Sequence, residues 1–294
     1  MPAATPNAAA PPMNRYKDAP RDPDCTIDQR WDSYTAAEHD RWDRLFARQQ
    51  AILKDRACDA FLAAMDALRL SERGIPDMAR LSDRLQKRTG WRVVPVADLV
   101  PDAIFFDHLA SRRFPAGAFI RPEQQLDYLE EPDVFHDVFG HVPLLANPVY
   151  ADFMAAYGEG GRRAMGLGRL ANLARLYWYT VEFGLIRGRD GLRLFGAGIM
   201  SSAGESVFAL EDPSPNRVAF NLERVMRTKY IIDDFQQSYF VIDSFDSLLA
   251  ACYRDFGPLY ERLATATDIA PHELAPGDQV ITKGTLAYFR KMRS

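Results

Sequence analysis

Apolar residues at helical spacing run through most of this chain, and they constrain its fold more than any other sequence feature. In the segment TAAEHDRWDRLFARQQAILKDR, Thr35 and Glu38 stand at the spacing of an N-terminal capping box. Trp42, Leu45 and Phe46 then follow near helical periodicity, which predicts a long first helix. The same pattern predicts helices in CDAFLAAMDALRL, PDMARLSDRLQKRTG, AIFFDHLA, PEQQLDYLE, PVYADFMAAYGEG, RLANLARLYWYTVEFGLIR and SFDSLLAACYRDFGPLYERLA.

Segments that could form strands are few and short. The candidates are WRVVPV, AFI, RLFGAGI and SVFAL, each bordered by Gly, Pro or Ser. No internal repeat of about 20–50 residues and no sustained heptad near the end of the chain are found. The sequence therefore predicts a mainly α fold in which sheet is a minor component, and we expect a monomer.

The first part of the chain differs in composition from the rest. Residues 1–24 are rich in Ala and Pro and offer almost no side chain whose burial could offset the entropy of ordering them. We expect a flexible N-terminal arm there and one domain over residues 25–294. The opening residues have no basic segment followed by an apolar stretch, and no run of about 18 apolar residues occurs, so neither export nor a membrane span is expected.

Charge and cysteine usage argue against two classes of protein. The formal net charge is -4, with acids and bases interspersed, so no basic face for nucleic acid is expected. Cys25, Cys58 and Cys252 are far apart, odd in number and not in CxxC spacing. This pattern suggests neither a disulfide framework nor a thiolate metal site, and it fits a reducing cytoplasm.

The segment EPDVFHDVFGHVPLL, residues 131–145, holds two of only five histidines, His136 and His141. On a regular α-helix, side chains five residues apart point roughly 140° away from each other, so both could not easily reach one ion. Gly140 and Pro143, however, predict that the helix carrying His136 stops there, which would free His141 to turn inward. Two structural histidines near a helix end are the alternative.

A carboxylate in an apolar segment adds weight to a metal site. Glu182 lies in LARLYWYTVEFGLIR, where a buried, unpaired carboxylate would cost several kcal/mol. Its partner could be a basic residue such as Arg175 or Arg187, or a cation shared with His136 and His141. Two imidazoles and one carboxylate with open positions are the ligand set of non-haem iron(II) oxygenases, and the same set also holds catalytic zinc.

The ligand set leaves two other functions open. A zinc hydrolase would need an acid or base beside the metal-bound water, and Asp137 could take that role. A metal that only stabilises the fold would need a fourth protein ligand, and none is evident nearby in the sequence.

Two longer segments of the sequence resemble those of a known protein family. EPDVFHDVFGHVPLL and LYWYTVEFGL resemble the two signature segments of the pterin-dependent aromatic amino acid hydroxylases. TGWRVVPVADL, FIRPEQQLDYLEEPD and FGAGIMSSAGES follow in the family's order, so the resemblance runs from about Arg21 to about Arg262. It implies the family's α-rich catalytic domain with short β-ribbons, and iron(II) bound by His136, His141 and Glu182.

The resemblance also implies the reaction. Iron and a tetrahydropterin would activate dioxygen to hydroxylate the ring of an aromatic amino acid. Phenylalanine is the expected substrate because the layout is compact, and tyrosine or tryptophan are the alternatives, since an apolar pocket discriminates weakly against one extra hydroxyl. Unlike animal members, the chain offers no separate regulatory domain before residue 25 and no tetramerising helix at its end, so we expect neither allosteric control of that kind nor tetramers.

Several further site residues follow from the resemblance alone. Arg121 would bind the substrate carboxylate and Asp133 would orient it; a guanidinium fork grips a carboxylate through two bonds. Without the resemblance, Arg121 would be interpreted as an exposed residue at a strand end. The remaining substrate contacts implied are Pro132, Tyr128, Trp178, Tyr177, Ser201 and Ser202.

The pterin site is implied in the same way. Phe105 would stack on the pterin ring and Asp137 would meet it through water, whereas from periodicity alone they would be a core residue and a solvated charge. Val100 and Glu205 complete the implied set, with Glu205 supporting the groups around the metal. Leu129 and Glu130 differ from the animal pair at this point, so local pterin and substrate contacts are expected to differ.

Overall fold

Helices dominate the structure, a computed structural model that describes residues 14–127 and 131–293. The helices are α1 (Ala36–Leu53), α2 (Asp59–Ala67), α3 (Met78–Thr89), α4 (Asp102–Ala110), α5 (Pro148–Gly166), α6 (Leu170–Tyr177), α7 (Ala197–Met200), α8 (Ala203–Glu211), α9 (Leu222–Arg227), α10 (Phe245–Cys252), α11 (Gly257–Thr265) and α12 (Ala287–Arg293). Two π-helices cover Phe135–His141 and Trp178–Glu182, and 3₁₀ turns cover Trp31–Ser33, Glu123–Gln125 and Pro143–Ala146.

The strands form two small sheets. They are β1 (Arg92–Val96), β2 (Arg113–Gly117), β3 (Leu185–Gly188), β4 (Gly191–Leu194), β5 (Asn216–Ala219), β6 (Ser238–Ile242) and β7 (Val280–Thr282). The first sheet pairs β1 with β2 in parallel, and the second has the order β4-β3-β6-β5-β7. Strands β3, β6 and β5 run parallel, while β4 and β7 pair antiparallel at the two edges. The prediction of a mainly α fold with short β-ribbons is confirmed.

The predicted helix boundaries hold best where caps are present. Helix α1 begins after Thr35, whose side chain accepts from the Glu38 amide while the Glu38 side chain accepts from the Thr35 amide, a complete capping box. Helix α3 ends at Gly90, which adopts the left-handed conformation with φ 77°. Both termini follow from side-chain and backbone chemistry that is local in sequence.

Three of the predicted strands are wrong or shifted. AFI lies just after β2, and RLFGAGI enters β4 only with its first residues before α7 begins. SVFAL is helical, within α8, because Ser202 caps that helix by accepting from the amide of Glu205. The predicted helix in PEQQLDYLE amounts, over its described residues, to the single 3₁₀ turn Glu123–Gln125.

The hydrophobic core lies directly beneath the first π-helix. Phe139 meets Phe46 of α1 and Phe61 of α2 edge-on, with ring centroids 5.5 and 5.9 Å apart. Phe135 stacks on Phe139 at 4.7 Å and meets Trp42 at 5.4 Å. Aromatic contacts of this kind fix ring orientation as well as burying area. The core therefore holds one face of this π-helix and directs its other side chains away from α1 and α2.

The N-terminal segment is packed from residue 14 onward. Tyr16 is fully buried, and its hydroxyl donates to the carbonyl of Gln29 at 2.8 Å. Arg21 forms a bidentate ion pair with Asp98. The expected flexible arm is therefore wrong for residues 14–24, because Tyr16 supplies the buried surface that the composition of the whole segment concealed; residues 1–13 lie outside the described part of the chain.

Among residues 14–127 and 131–293, no helix combines the length and the apolar character that crossing a bilayer requires.

Candidate metal centre and active site

Both histidines lie on one π-helix, Phe135–His141, which does not end at Gly140. Hydrogen bonds in a π-helix run from residue i to i+5, so residues five apart lie nearly one turn above each other. His136 and His141 therefore share a face, and the 140° separation expected of an α-helix does not apply. The predicted convergence is confirmed, but the predicted reason, a helix stop at Gly140, is wrong.

Gly140 has a different role in this π-helix. A Cβ built on it would lie 2.8 Å from the carbonyl oxygen of Ala197, closer than packing permits. The missing side chain allows α7 to approach the helix that carries the histidines.

The carboxylate comes from the second π-helix, Trp178–Glu182. Its wider turn is closed by a hydrogen bond from the amide of Phe183 to the carbonyl of Trp178 at 2.8 Å, five residues apart. Glu182 is its last residue, and the side chain is 14% exposed. Two π-helical segments thus meet at this point, in agreement with the tendency of π-bulges to occur at functional sites.

The three side chains converge on a small volume. The Nε2 atoms of His136 and His141 lie 3.2 Å apart. Glu182 places Oε1 3.2 Å from Nε2 of His141 and Oε2 3.7 Å from Nε2 of His136. One ligand atom of each residue lies within 4.8 Å of the others, and no fourth His, Cys, Asp or Glu joins this group among the described residues.

Ser201 orients one of the imidazoles. Its hydroxyl lies 2.9 Å from Nδ1 of His136 and donates to the carbonyl of Ala197 at 2.9 Å. Because the hydroxyl proton is used by that carbonyl, Ser201 accepts from an Nδ1–H, which leaves the lone pair of His136 on Nε2. That lone pair points at His141 and Glu182, the arrangement in which a divalent cation fits between the three donors.

Electrostatics favours a neutral His136 beside an ionised Glu182. Burial lowers the pKa of His136 to about 4, so this imidazole stays neutral at pH 7. Burial also opposes charge on Glu182 and His141, but their mutual attraction outweighs it, which lowers the pKa of Glu182 and raises the pKa of His141. A carboxylate with neutral nitrogen donors is the protonation state that metal binding requires, and a cation would replace the proton on His141.

The salt-bridge alternative for Glu182 is wrong. Arg175 is bound to Asp268 at 2.6 Å, and Arg187 is bound to Asp243 at 2.7 Å. Neither guanidinium is paired with Glu182, whose charged neighbours are His136 and His141.

Arg121 and Asp133 form a buried, bidentate ion pair beside the histidines. Nε and Nη2 of Arg121 donate to the two carboxylate oxygens at 2.9 and 2.7 Å, and Asp133 has no exposed surface. Asp133 also accepts from the amide of His136 at 3.0 Å. Arg121 is 6% exposed, so the alternative of an exposed strand-end residue is wrong. Asp133 aims the guanidinium and leaves its third nitrogen, Nη1, for another acceptor.

Asp137 lies between the histidines and is buried. Its Oδ2 accepts from the amide of Gly117 at 2.7 Å, which ties the π-helix to the end of β2. Burial raises the pKa of Asp137 to about 7. The interpretation of Asp137 as a solvated surface charge is therefore wrong.

Aromatic side chains line one side of the metal centre. Tyr177 lies 6.2 Å from the ring of His141 in a stacked arrangement, and Phe105 of α4 meets Tyr177 edge-on at 5.8 Å. Both are half-buried, as is Trp178. Tyr177 and Phe105 from the sequence analysis thus lie beside His141, whereas Trp178 packs against Phe183 and Tyr230.

The other expected site residues occupy varied positions. Val100 lies half-buried in the loop before α4, and Pro132 directly precedes Asp133. Ser202 caps α8, and Glu205, on that helix, accepts from the hydroxyl of Tyr239 and from the amide of Gln236. Tyr128, with Leu129 and Glu130, lies outside the described residues.

Sequence reasoning missed two residues that hold Trp178. Gln236 accepts from the indole N–H at 2.9 Å, and Tyr230 stacks on the indole at 4.4 Å. The only local signal was the polar pair of Gln236 and Gln237 directly before the apolar β6, which is weak evidence of a buried hydrogen-bonding role.

Comparison with known proteins agrees with this geometry. A family model described as the biopterin-dependent aromatic amino acid hydroxylases matches residues 29–262. The phenylalanine-4-hydroxylase of Caulobacter vibrioides is 65% identical over 266 residues, which cover 90% of both chains. The one from Chromobacterium violaceum is 52% identical over 261 residues, covering 89% of this chain and 88% of its own.

Solved structures give the same result. A crystal structure of the Chromobacterium violaceum phenylalanine hydroxylase with iron and phenylalanine bound superposes with a TM-score of 0.85 at 50% identity, covering 89% of this chain and 96% of that one. A cobalt-bound structure of that enzyme gives a TM-score of 0.87 at 51% identity, with 89% and 95% covered. The chain belongs to the biopterin-dependent aromatic amino acid hydroxylase family.

Proposed function

We propose that this chain is a phenylalanine 4-monooxygenase, which converts L-phenylalanine to L-tyrosine with a tetrahydropterin and dioxygen at a mononuclear iron(II). The observation that carries the proposal is the convergence of His136, His141 and Glu182 within a chain of this family. Relatives at 65%, 56% and 52% identity bear the name phenylalanine-4-hydroxylase. A neighbouring solved structure holds both iron and phenylalanine.

The iron would be held by Nε2 of His136, Nε2 of His141 and the carboxylate of Glu182. When bound, iron(II) and the tetrahydropterin together supply the electrons that activate dioxygen. The protein's part is to fix three donors and leave the remaining positions open. Ser201 contributes by keeping the lone pair of His136 on the nitrogen that faces the other ligands.

The amino-acid head of the substrate would bind at Arg121. Asp133 occupies two of the three guanidinium nitrogens and holds the planar group still, so that the free N–H groups meet the substrate carboxylate in one orientation. Asp133 also accepts from the backbone amide of His136, so one side chain positions both Arg121, which would bind the substrate carboxylate, and a ligand of the iron. Pro132, Ser201, Ser202 and Tyr128 are assigned to the surroundings of this head group.

The substrate ring would lie against Trp178 and Tyr177. Tyr177 stacks beside His141, and Trp178, the next residue, is held by Tyr230; apolar rings at these positions would keep water from the oxidising site. The pterin would stack on Phe105, with Val100 beside it and with Asp137 reached through water. Glu205 supports this region from α8 through Tyr239 and Gln236.

A product-identified turnover assay tests the proposal. Purified protein loaded with iron(II) is given tetrahydropterin, oxygen and, in turn, L-phenylalanine, L-tyrosine and L-tryptophan. We expect one iron per chain, an absolute requirement for pterin, and tyrosine as the main product from phenylalanine. A faster reaction with tryptophan or tyrosine would assign the chain to another substrate of the same family.

The identity of the metal and the requirement for pterin distinguish the proposed hydroxylase from a zinc hydrolase built on the same ligands. Zinc in the active protein together with pterin-independent hydrolysis would support it, with Asp137 as the acid or base. The family match and the iron-bound neighbour favour hydroxylation instead.

We also propose that residues 25–294 act as one catalytic domain, and that the protein works as a monomer in the cytoplasm. Cys25, Cys58 and Cys252 are all free thiols, as expected in a reducing compartment. Light scattering of the purified protein and fractionation of its host cells test the two statements separately.

A further inference from the structure

The loop between α9 and β6, which we name the Tyr230–Gln236 loop, holds the indole of Trp178 on two sides. Tyr230 stacks on the indole with ring centroids 4.4 Å apart and planes 16° apart. From the other end of the loop, Oε1 of Gln236 accepts from the indole N–H at 2.9 Å. The position of Trp178 therefore depends on the shape of this loop.

The side chain of Gln236 connects the indole of Trp178 to the loop backbone through hydrogen bonds. It is 1% exposed, and its Nε2 donates to the carbonyls of Ile231 at 2.7 Å and Asp234 at 3.2 Å. The amide thus connects the indole to the backbone of the same loop. A change in the path of Ile231 or Asp234 would be transmitted through one side chain to Trp178.

Helix α8 supports the inner side of the loop. Phe235 stacks on Phe208 at 4.6 Å and lies over Gly204, where a Cβ would come within 2.9 Å of its ring. The backbone N–H of Gln236 donates to Oε1 of Glu205 at 3.2 Å. Helix α8 therefore holds Phe235 and Gln236 of the loop.

Tyr288 of α12 contacts the same loop from a second element. Its hydroxyl donates to Oδ1 of Asp234 at 2.6 Å, and its ring lies 5.5 Å from Phe235 and 5.3 Å from Phe208. The Tyr288 amide donates to Oγ of Ser214 at 2.9 Å. Tyr288 therefore contacts the loop through both its ring and its hydroxyl.

The segment leading into α12 is itself anchored to the central sheet. Strand β7 pairs with β5, and the amide of Gly284 donates to Oδ1 of Asn216 at 3.0 Å. The amides of Thr285 and Leu286 donate to the carbonyls of Pro213 and Ser214, both at 2.9 Å. The backbone just before Tyr288 is therefore fixed to the central sheet and the residues that precede it.

We propose that Tyr288 is a positioning residue for the substrate ring, acting through Asp234 and Gln236 on Trp178. The inference rests on the proposed function, in which Trp178 contacts that ring. Tyr288 lies beyond the residues 29–262 that match the family model, so this role belongs to the C-terminal segment and not to the shared motifs.

The hydroxyl is the part of Tyr288 that matters in this proposal. Packing of the ring on Phe208 and Phe235 would survive its removal, whereas the bond to Asp234 would be lost. Substrate binding would then weaken because the loop no longer holds the indole in one place. The iron ligands should be unaffected, because the contacts of His136 with Asp133 and Ser201 do not involve this loop.

Tyr288→Phe tests the proposal, with Tyr16→Phe as the matched control. Tyr16→Phe also removes a buried hydroxyl that donates to a backbone carbonyl, that of Gln29, and both residues are far in sequence from the Tyr230–Gln236 loop. For Tyr288→Phe we expect KM for phenylalanine to rise about threefold to tenfold, with kcat within about twofold, as the loss of one hydrogen bond that acts in binding alone predicts. Iron content and the KM of Tyr16→Phe should match those of the wild type.

Two further measurements separate positioning from general destabilisation. Amide hydrogen exchange of the metal-free protein should speed up in residues 230–236 of Tyr288→Phe and stay unchanged there in Tyr16→Phe. Asp234→Ala should raise KM for phenylalanine as much as Tyr288→Phe does, and the double variant should have a KM no higher than that of either single variant. Asp234→Asn retains an acceptor for the Tyr288 hydroxyl and should have a KM close to that of the wild type.

Unchanged exchange in the loop together with an unchanged KM in Tyr288→Phe would overturn the proposal, as would additive effects in the double variant. Failure of the proposed function has a different signature, since the wild type itself would then not hydroxylate phenylalanine. The exchange experiment needs neither iron nor substrate, so its result tests the contact between Tyr288 and the loop in either case.

Discussion

Ser201 accepts a hydrogen bond from Nδ1 of His136 at 2.9 Å and donates one to the carbonyl of Ala197, also at 2.9 Å. This hydrogen bond fixes the tautomer of His136, a proposed iron ligand, through a side chain 65 residues away in the sequence. It also connects α7 to the first π-helix at the place where Gly140 allows the two to approach.

Ser201→Ala should lower the affinity for iron without unfolding the protein. The alanine removes the acceptor that orients His136, and loss of such a supporting contact commonly costs about tenfold to a hundredfold in metal affinity. Competition with a chelator of known affinity measures the change.

Ser202→Ala is the matched control for that experiment. Ser202 caps α8 and does not contact His136, so its replacement should lower the free energy of unfolding by about 1 kcal/mol and leave iron affinity unchanged. Equal iron affinities for the two variants would show that Ser201 does not orient the ligand.

Glu182→Gln should abolish tight iron binding. The amide is nearly the same size, but it lacks the negative charge that offsets the cation in a site with two neutral imidazoles, so we expect affinity to fall by more than about a hundredfold. Iron per chain after desalting measures this. Glu223→Gln, at the surface pair with Arg262, is the control and should retain full occupancy.

Arg121→Lys should raise KM for phenylalanine by about tenfold or more. An ammonium cannot bind both oxygens of Asp133 and still hold further N–H groups in a fixed plane for the substrate carboxylate. Steady-state kinetics with phenylalanine as the varied substrate measures the effect. Arg113→Lys, at a partly exposed pair with Asp24, should change KM little. Equal values for both variants would remove Arg121 from the substrate site.

Much of the fold could be predicted from the sequence because caps and apolar periodicity act locally. The capping box of Thr35 and Glu38 and the left-handed Gly90 are set by neighbouring residues, and they mark helix ends correctly. Ser202 and Glu205 stand at the same S-x-x-E spacing, a signal that would have identified α8 as a helix and not a strand.

The π-helices could not be predicted in this way. Their wider turns depend on contacts distant in sequence, such as the packing of Phe139 on α1 and α2 and the approach of α7 to Gly140. A glycine required for close packing and a glycine that ends a helix look the same in a single sequence. For that reason the convergence of the ligands was predicted and its geometry was not.

The buried pairing of Arg121 with Asp133 also lay beyond local reasoning. The two residues are 12 positions apart and lie in separate loop segments, Arg121 after β2 and Asp133 before the first π-helix, so only the family resemblance connected them before the structure did. Gln236 and Tyr288 lacked even that support, since their partners are 58 and 54 residues away.

Glu205 should make the stability of the metal-free protein fall as the pH rises from about 4.5 to about 7. Burial raises the pKa of Glu205 from its ordinary value of 4.5 to about 7, because the folded protein disfavours the charged carboxylate. Below pH 4.5 both states hold the proton. Between the two pKa values only the folded state keeps it, so stability is lost through this window. At about 1.4 kcal/mol for each pKa unit, the loss is of the order of 3 kcal/mol by pH 8.

Glu205→Gln removes this titration while keeping an oxygen that can accept from Tyr239 and from the amide of Gln236. The difference in unfolding free energy between variant and wild type should therefore shift in favour of the variant as the pH rises from 5 to 8. Urea denaturation at closely spaced pH values measures it, with Glu223→Gln as a surface control. A difference that stays constant over this range would mean that Glu205 is already ionised in the folded protein at pH 5, and that Tyr239 and Gln236 compensate its charge fully.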